Sequence, residues 1–300
     1  MSKFSIAIDI GGTNTKLAVV SEEGDFFQEK IISTGEFSSF DDFSQAISSH
    51  ILSYIKEFPI IGVGVGCPNY NNQTECIENP PNLPWGNVAI KKILQTKSPV
   101  PVWVEKDAPL AALGEYFFGQ HATDNLAVIT IGTGIGSGFI VNQKLHYTPH
   151  GYGSEAGHLI VGTAQVPCGC GGHDHLEAYA SVSALRKKAS EVFQRKVSFT
   201  ELTELVKQQN LQALNIVKDA AFYLAVGITQ VINIVGSKKV ILAGGGILLG
   251  DTFFQEIQRQ YQLLCFKTHA DVSILPSSLP INHGALLGAA AIVFNNHSGK

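Results

Sequence analysis

The sequence has little net charge, few cysteines and no long apolar run, and each shortage removes a class of function. Its net charge of −4 over 300 residues leaves no excess of lysine and arginine for a nucleic-acid surface. No window reaches the roughly 18 uninterrupted apolar residues of a membrane span. Met1-Ser-Lys-Phe-Ser5 runs straight into an apolar alternation, so neither a signal peptide nor a DNA-binding helix-turn-helix is expected before Phe4. Five cysteines are an odd number, and Cys168 and Cys170 are too close for an ordinary disulfide framework. Cytosolic thiols or metal ligands fit better. No low-complexity tract is present. What remains is a chain that is 45% hydrophobic and 15% charged, enough for one large core or two medium ones.

The stretch Asp9-Ile-Gly-Gly-Thr-Asn-Thr-Lys16 lies between two apolar runs, Phe4–Ile10 and Leu17–Val20. Strand, glycine turn, strand is the reading, because Leu17–Val20 leads to the polar turn Ser21-Glu-Glu-Gly24. A nucleotide loop of the P-loop or dinucleotide type would run into a helix instead. Amides of Gly11 and Gly12 can approach an anion closely, and Thr13, Asn14 and Lys16 add donors. The device recurs: Asn125–Ile131 enters Gly132-Thr133-Gly134-Ile-Gly136, then Ser137–Val141. Two copies imply two halves, each with a hairpin suited to cupping phosphate. The duplication resembles the actin-like ATPase and sugar-kinase superfamily.

Other segments read as follows. Phe26–Ile32 is a strand. Phe43, Ile47, Ile51 and Ile55 mark an amphipathic helix over Phe40–Phe58, opened by Asp41 and Asp42. Ile60–Gly66 reads as a buried parallel strand. Asn79-Pro-Pro-Asn-Leu-Pro-Trp85 is a stiff loop, either a binding loop or a surface crossover. Pro101–Glu105 is a strand and Ala108–Phe118 a helix, with Asp107 as its N-cap. A carboxylate at such a junction also faces the crevice where α/β sheets bind ligands. A boundary is expected near Phe118–Asp124. Helices follow over Leu185–Phe193, Phe199–Gln208 and Leu211–Val235, then a strand Val240–Ala243 closing on Gly244-Gly245-Gly246, where a ring or ribose could lie against bare backbone. Val272–Leu275 is a late strand, and Gly284–Phe294 an alanine-rich helix expected to pack back on the first domain.

The chemistry concentrates in Gly153-Ser-Glu155-Ala-Gly-His158, Pro167-Cys168-Gly-Cys170-Gly171 and His173-Asp-His175-Leu-Glu177. Two cysteines with histidines nearby have zinc-ligand chemistry; free thiols in a glycine loop are the alternative.

In order, Asp9–Thr13, Asn82-Leu-Pro-Trp85, Lys106-Asp107-Ala108, Gly132–Gly136, Glu155-Ala-Gly-His158 and Cys168–Glu177 resemble the motifs of the ROK family of bacterial sugar kinases and sugar-responsive repressors. The similarity extends through Gly244–Gly246 and Gly284–Ala291. It implies an α/β, actin-like and ribonuclease H-like duplicated fold, with a 1–118 domain joined by the 284–300 helix, a 119–283 domain and a ligand cleft between them. It implies an ATP-dependent, glucokinase-like hexose kinase of the cytoplasm, with fructose, mannose, allose or N-acetylmannosamine as rival substrates. A sugar-binding regulator without catalysis and a stand-alone ATPase are the other readings. A homodimer is expected by the same resemblance, and the charge balance and the lack of a long apolar run lead us to expect no nucleic-acid or membrane partner.

The residue roles it implies are these. Asp9 positions Mg²⁺; Gly11, Gly12, Thr13, Asn14, Lys16, Gly132, Thr133 and Gly134 hold ATP phosphates; Gly244, Gly245 and Gly246 face adenosine. Asn82, Lys106, Asp107, Glu155, His158 and Glu177 contact sugar, with Asp107 as base. His158, Cys168, Cys170 and His175 hold a structural zinc, with His173 as a substitute ligand. Two positions depart from the family pattern. His175 stands for its last zinc-loop cysteine, with Asp174 for the glycine before it. Lys106 stands for an asparagine, which loses an acceptor and adds a charge beside Asp107.

Overall fold

The computed structural model describes residues 2–80, 82–148 and 153–297. Pro81 and the expected end of the last helix, 298–300, lie outside them. The chain separates into two compact units. Unit 1 comprises the described residues of Met1–His121, Tyr147–Gly153 and His283–Lys300; unit 2 comprises Ala122–His146 and Ser154–Asn282. The assignment of Tyr147–Gly153 to unit 1 differs from the simple division of the sequence reading.

Unit 1 is built from β1 (Phe4–Ile10), β2 (Asn14–Ser21), β3 (Phe26–Ser33), α1 (Phe40–Glu57), β4 (Ile60–Gly66), a small hairpin of β5 (Tyr70–Asn71) and β6 (Cys76–Ile77), α2 (Ile90–Lys97), β7 (Val102–Glu105) and α3 (Asp107–Phe118). Unit 2 holds β8 (Leu126–Ile131), β9 (Ile135–Val141), β10 (Lys144–Leu145), α4 (Leu176–Ala180), α5 (Val182–Val192), α6 (Phe199–Lys207), α7 (Leu211–Val235), β11 (Lys239–Ala243), α8 (Asp251–Leu264) and β12 (Ser273–Pro276). The last helix, α9 (Gly284–His297), belongs to unit 1.

The two main sheets are alike. Unit 1 orders its strands β3-β2-β1-β4-β7 and unit 2 orders them β10-β9-β8-β11-β12. In each, an antiparallel hairpin (β1–β2, β8–β9) adjoins parallel strands reached by helical crossovers. The duplication read from two glycine turns is thus a duplication of the whole sheet.

Alternation in β4 explains the layering of unit 1. Val63 and Val65 are fully buried with Phe43, Ile47 and Ile51 in one core. Gly62, Gly64 and Gly66 line the other face, where a Cβ on Gly64 would fall inside the carbonyl of Ala289 in α9. Helices α3 and α9 approach equally closely: a Cβ on Gly288 would fall inside the Leu110 carbonyl. Small residues let backbone meet backbone, which places the head of α3 beside the end of β1.

Asp41 and Asp42 lie in the first turn of α1 as expected, behind the N-cap Ser39, which accepts from Asp42 N at 3.1 Å. Helices α2 and α8 have no counterpart in the sequence reading. α2 is only eight residues long with two buried side chains, and α8 starts after Gly250 with no side-chain cap. Helix α7 has the length and apolar composition of a membrane span, but half of its apolar window is buried. Asn210 caps it through Gln212 N and Ala213 N, and Gly236 ends it at φ +70°.

Candidate functional site

In unit 1 the β1–β2 turn is closed by Gly11 N donating to Asn14 O at 3.0 Å. Thr13 and Asn14 are exposed at its tip, and Thr34 N holds the turn from behind by donating to Thr13 O at 2.8 Å. Gly12 touches the 79–85 loop: a Cβ there would lie 2.6 Å from Asn82 O. Only glycine permits this approach. Trp85 anchors that loop rather than facing a ligand. It is 7% exposed, its ring lies 4.5 Å from that of Phe43, and its Nε1 donates to Phe37 O at 3.2 Å. Leu83 is buried alongside, which leaves Asn82 exposed next to Gly12.

Asp9, at the end of β1, lies opposite Lys16 across the hairpin and beside Gly66 of β4. Burial, and secondarily the nearby charge of Asp107, push its carboxyl up to about 6; Lys16 and His283 oppose the rise. His283 was not anticipated. It precedes α9 and sits against the Phe26 ring, with Nε2 3.5 Å from Glu29 Oε2. The clue in the sequence is a titratable side chain directly before an alanine-rich helix.

Asp107 is the first residue of α3, and Lys106 occupies the cap position with no side-chain cap bond. This corrects the capping role expected of Asp107. Its Oδ1 accepts instead from Ala108 N at 2.8 Å, and the side chain is exposed. Lys106 is 9% exposed, and its Nζ donates to Gly153 O at 3.1 Å. The neighbouring Glu105 accepts from Lys106 N at 2.8 Å, and burial raises its carboxyl above the usual range.

In unit 2 the Gly132–Gly136 turn is closed by Gly132 N donating to Gly134 O at 2.9 Å, with Thr133 exposed at its tip. Gly244 takes φ +84°, and a Cβ there would lie 2.7 Å from Ile131 O. Gly246 packs on the Ile131 side chain. The triple-glycine segment is therefore held beside the strand that leads into the second turn, while Gly245 meets nothing within 4 Å.

The Glu155-Ala-Gly-His158 motif forms a short 3-10 turn, with Glu155 exposed. Gly157 packs against the Ile135 carbonyl. Ser137, missed in the sequence, ties this turn to β9: its hydroxyl donates to Ser154 O and accepts from Ala156 N at 2.9 Å.

The ligand atoms of His158, Cys168, Cys170 and His175 all lie within 4.8 Å of one another. Cys170 Sγ is 3.1 Å from His175 Nδ1. Among the described residues His158 Nδ1 is the one buried side-chain polar atom with no partner. Such an atom is costly, and a cation held by the four side chains would give it a partner. Two thiolates and two imidazoles suit a closed tetrahedral zinc site, where ligand atoms sit about 3.3–3.8 Å apart. Ordinary side-chain adjustment covers the difference. His173 lies outside the cluster, exposed, with its backbone bridged to Pro167.

Asp174 explains how the loop keeps its shape without the family's glycine. It has φ +58°, a left-handed conformation that aspartate tolerates better than most residues. Its carboxylate accepts from Gln165 N and Val166 N, each at 3.0 Å, and from the Tyr179 hydroxyl. The Tyr179 bond leads in holding this carboxyl below the usual range.

A family model described as the ROK family matches residues 5–296. The chain is 26% identical over 316 residues to a glucokinase of Halalkalibacterium halodurans, covering 97% of this chain and 95% of that one. It is 30% identical over 251 residues to the xylose repressor of Bacillus subtilis, covering 82% of this chain but spanning 65% of the repressor. Among solved structures, a ROK family glucokinase from Streptomyces griseus in complex with glucose and AMPPNP matches with a TM-score of 0.81 at 25% identity, covering 97% of this chain and 99% of that one. With two like sheets of actin-like, ribonuclease H-like type and this ordered set of motifs, the chain belongs to the ROK family.

Proposed function

We propose that the protein is an ATP-dependent hexose kinase, glucokinase-like, that transfers the γ-phosphoryl group to a sugar hydroxyl. The observation that carries this reading is the adjacency of two carboxylates in unit 1, an exposed Asp107 at the head of α3 and an up-shifted Asp9 at the end of β1, on a sheet whose glycine turn touches Asn82.

Asp107 accepts the proton of the attacking hydroxyl. Its hydrogen bond from Ala108 N holds the carboxylate at the head of α3. Phosphoryl transfer has a loose transition state, so positioning and charge neutralisation carry most of the rate, and the base contributes about 10²–10⁴-fold. Gly11–Asn14 with Lys16, and Gly132–Gly134, supply donors for the phosphates; Gly244–Gly246 offers bare backbone to the adenosine. Asp9 would position Mg²⁺ through water, and the ion when bound would neutralise phosphate charge. Asn82, Lys106, Glu155, His158 and Glu177 contact the sugar; a carboxylate has about four acceptor sites, so Glu177 retains capacity beyond its contacts within unit 2. His158, Cys168, Cys170 and His175 hold a structural zinc.

A second reading, a sugar-responsive regulator that binds without turnover, draws on the identity to a xylose repressor. ADP release measured across a panel of hexoses and amino sugars, with a no-sugar control, separates the two. Sugar-dependent release supports the kinase and names its substrate. Tight sugar binding without release supports the regulator, and release without sugar refutes both.

A further inference from the structure

The second glycine turn does not stand alone in unit 2. Ile135 N donates to Glu177 Oε2 at 2.9 Å, and a Cβ on Gly134 would fall inside the same carboxylate. The other oxygen, Oε1, accepts from Cys168 Sγ at 3.6 Å. Cys168 is one of the four clustered donors. A single carboxylate thus joins the donor cluster to the amide that ends the Gly132–Gly134 turn.

Geometry makes this joint depend on metal. Cys168 Sγ is both a member of the four-donor cluster and the contact of Glu177 Oε1. A cation held by the four side chains would draw their ligand atoms together and fix Cys168 Sγ. Glu177, whose other oxygen holds the Ile135 amide, would carry that restraint to the turn.

We infer that Glu177 is a positioning residue through which metal loading sets the Gly132–Gly136 turn, and with it the turn's grip on nucleotide phosphates. The nucleotide half of this statement rests on the kinase reading; the coupling between metal and turn does not.

The test uses the ¹⁵N-labelled full chain. The Ile135 and Gly134 amide resonances are followed as zinc is removed with EDTA and added back, in wild type, Glu177→Gln and Glu177→Ala. In wild type the Ile135 amide resonance should move on zinc addition. Glu177→Gln keeps an acceptor without the charge and should show a smaller shift. Glu177→Ala should bind zinc with unchanged stoichiometry but lose the zinc-dependent shift. Calorimetry with a non-hydrolysable ATP analogue should show affinity falling about tenfold on zinc removal in wild type, equivalent to ~1.4 kcal/mol, and no zinc dependence in Glu177→Ala. An Ile135 resonance identical with and without zinc, or an undiminished shift in Glu177→Ala, overturns the coupling. If the analogue binds no form of the protein, the kinase reading fails while the resonances still decide the coupling.

Discussion

Replacing Asp9 by Asn should stabilise the free protein and disable it. With its carboxyl raised from 3.8 to about 6, chiefly by burial, Asp9 is easier to ionise in the unfolded chain than in the fold. The sign follows directly. Below pH 3.8 both states are protonated and the group contributes nothing. Between 3.8 and 6 the fold holds a proton that the unfolded chain has released, so stability falls as pH rises, and above 6 the loss is constant. The full difference corresponds to about 3 kcal/mol. Because Asp9 retains some exposure to water, screening reduces the expected effect to about 1–2 kcal/mol. Asp9→Asn removes the ionisation, so it should gain that amount at pH 7.5 and almost nothing at pH 4. Urea unfolding of the nucleotide-free protein at the two pH values, followed by tryptophan fluorescence, isolates the right unit, because Trp85 and Trp103 both lie in unit 1. In wild type, Mg-nucleotide binding should strengthen as pH rises through about 6; in Asp9→Asn it should be weak throughout. A variant that is no more stable than wild type at pH 7.5, or that gains equally at both pH values, refutes the reasoning.

Asp107→Asn should lower kcat by about 10²–10⁴-fold without lowering the urea midpoint, since its side chain is exposed and its charge only adds to the cost of ionising Asp9; retention of near-normal turnover removes Asp107 from the role of base. Cys168→Ala should cut bound zinc, measured by inductively coupled plasma mass spectrometry, to well under one ion per chain. Unchanged stoichiometry would exclude the four-donor set. Gly64→Ala forces a methyl into the Ala289 carbonyl and should cost about 3 kcal/mol in unit 1. Gly35→Ala, which meets nothing within 4 Å, should be neutral, and equal urea midpoints for the two variants contradict the proposed close packing of β4 on α9.

What was legible in the sequence was local. A glycine pair between two apolar runs shows itself because turn and strands are contiguous, and α7 shows itself through Asn210, Gly236 and 25 residues between them. The four donors fall within 18 residues of chain, His158 to His175, so spacing alone groups them. What stayed hidden depends on contacts distant in sequence. Gly62, Gly64 and Gly66 read as a soft apolar run until α9, more than 200 residues later, packs over the first two and Leu110 of α3 over the third. Asp174 looks like a lost glycine until its φ of +58° and three acceptor bonds show how the loop keeps the same turn. Asp107 looks like a cap because aspartate favours that position; the helix begins one residue earlier, and the carboxylate is left exposed. Glu177 reads as a sugar ligand by its place in the motif, and only the fold reveals its bond to Ile135 N.

The destination of the γ-phosphoryl group tests the central claim most directly. In a ³¹P NMR time course with MgATP and a binding hexose, loss of the γ resonance should be matched by a growing sugar phosphomonoester signal. The account is contradicted if the γ-phosphoryl group appears only as inorganic phosphate, or if the ATP spectrum stays unchanged while the sugar is bound.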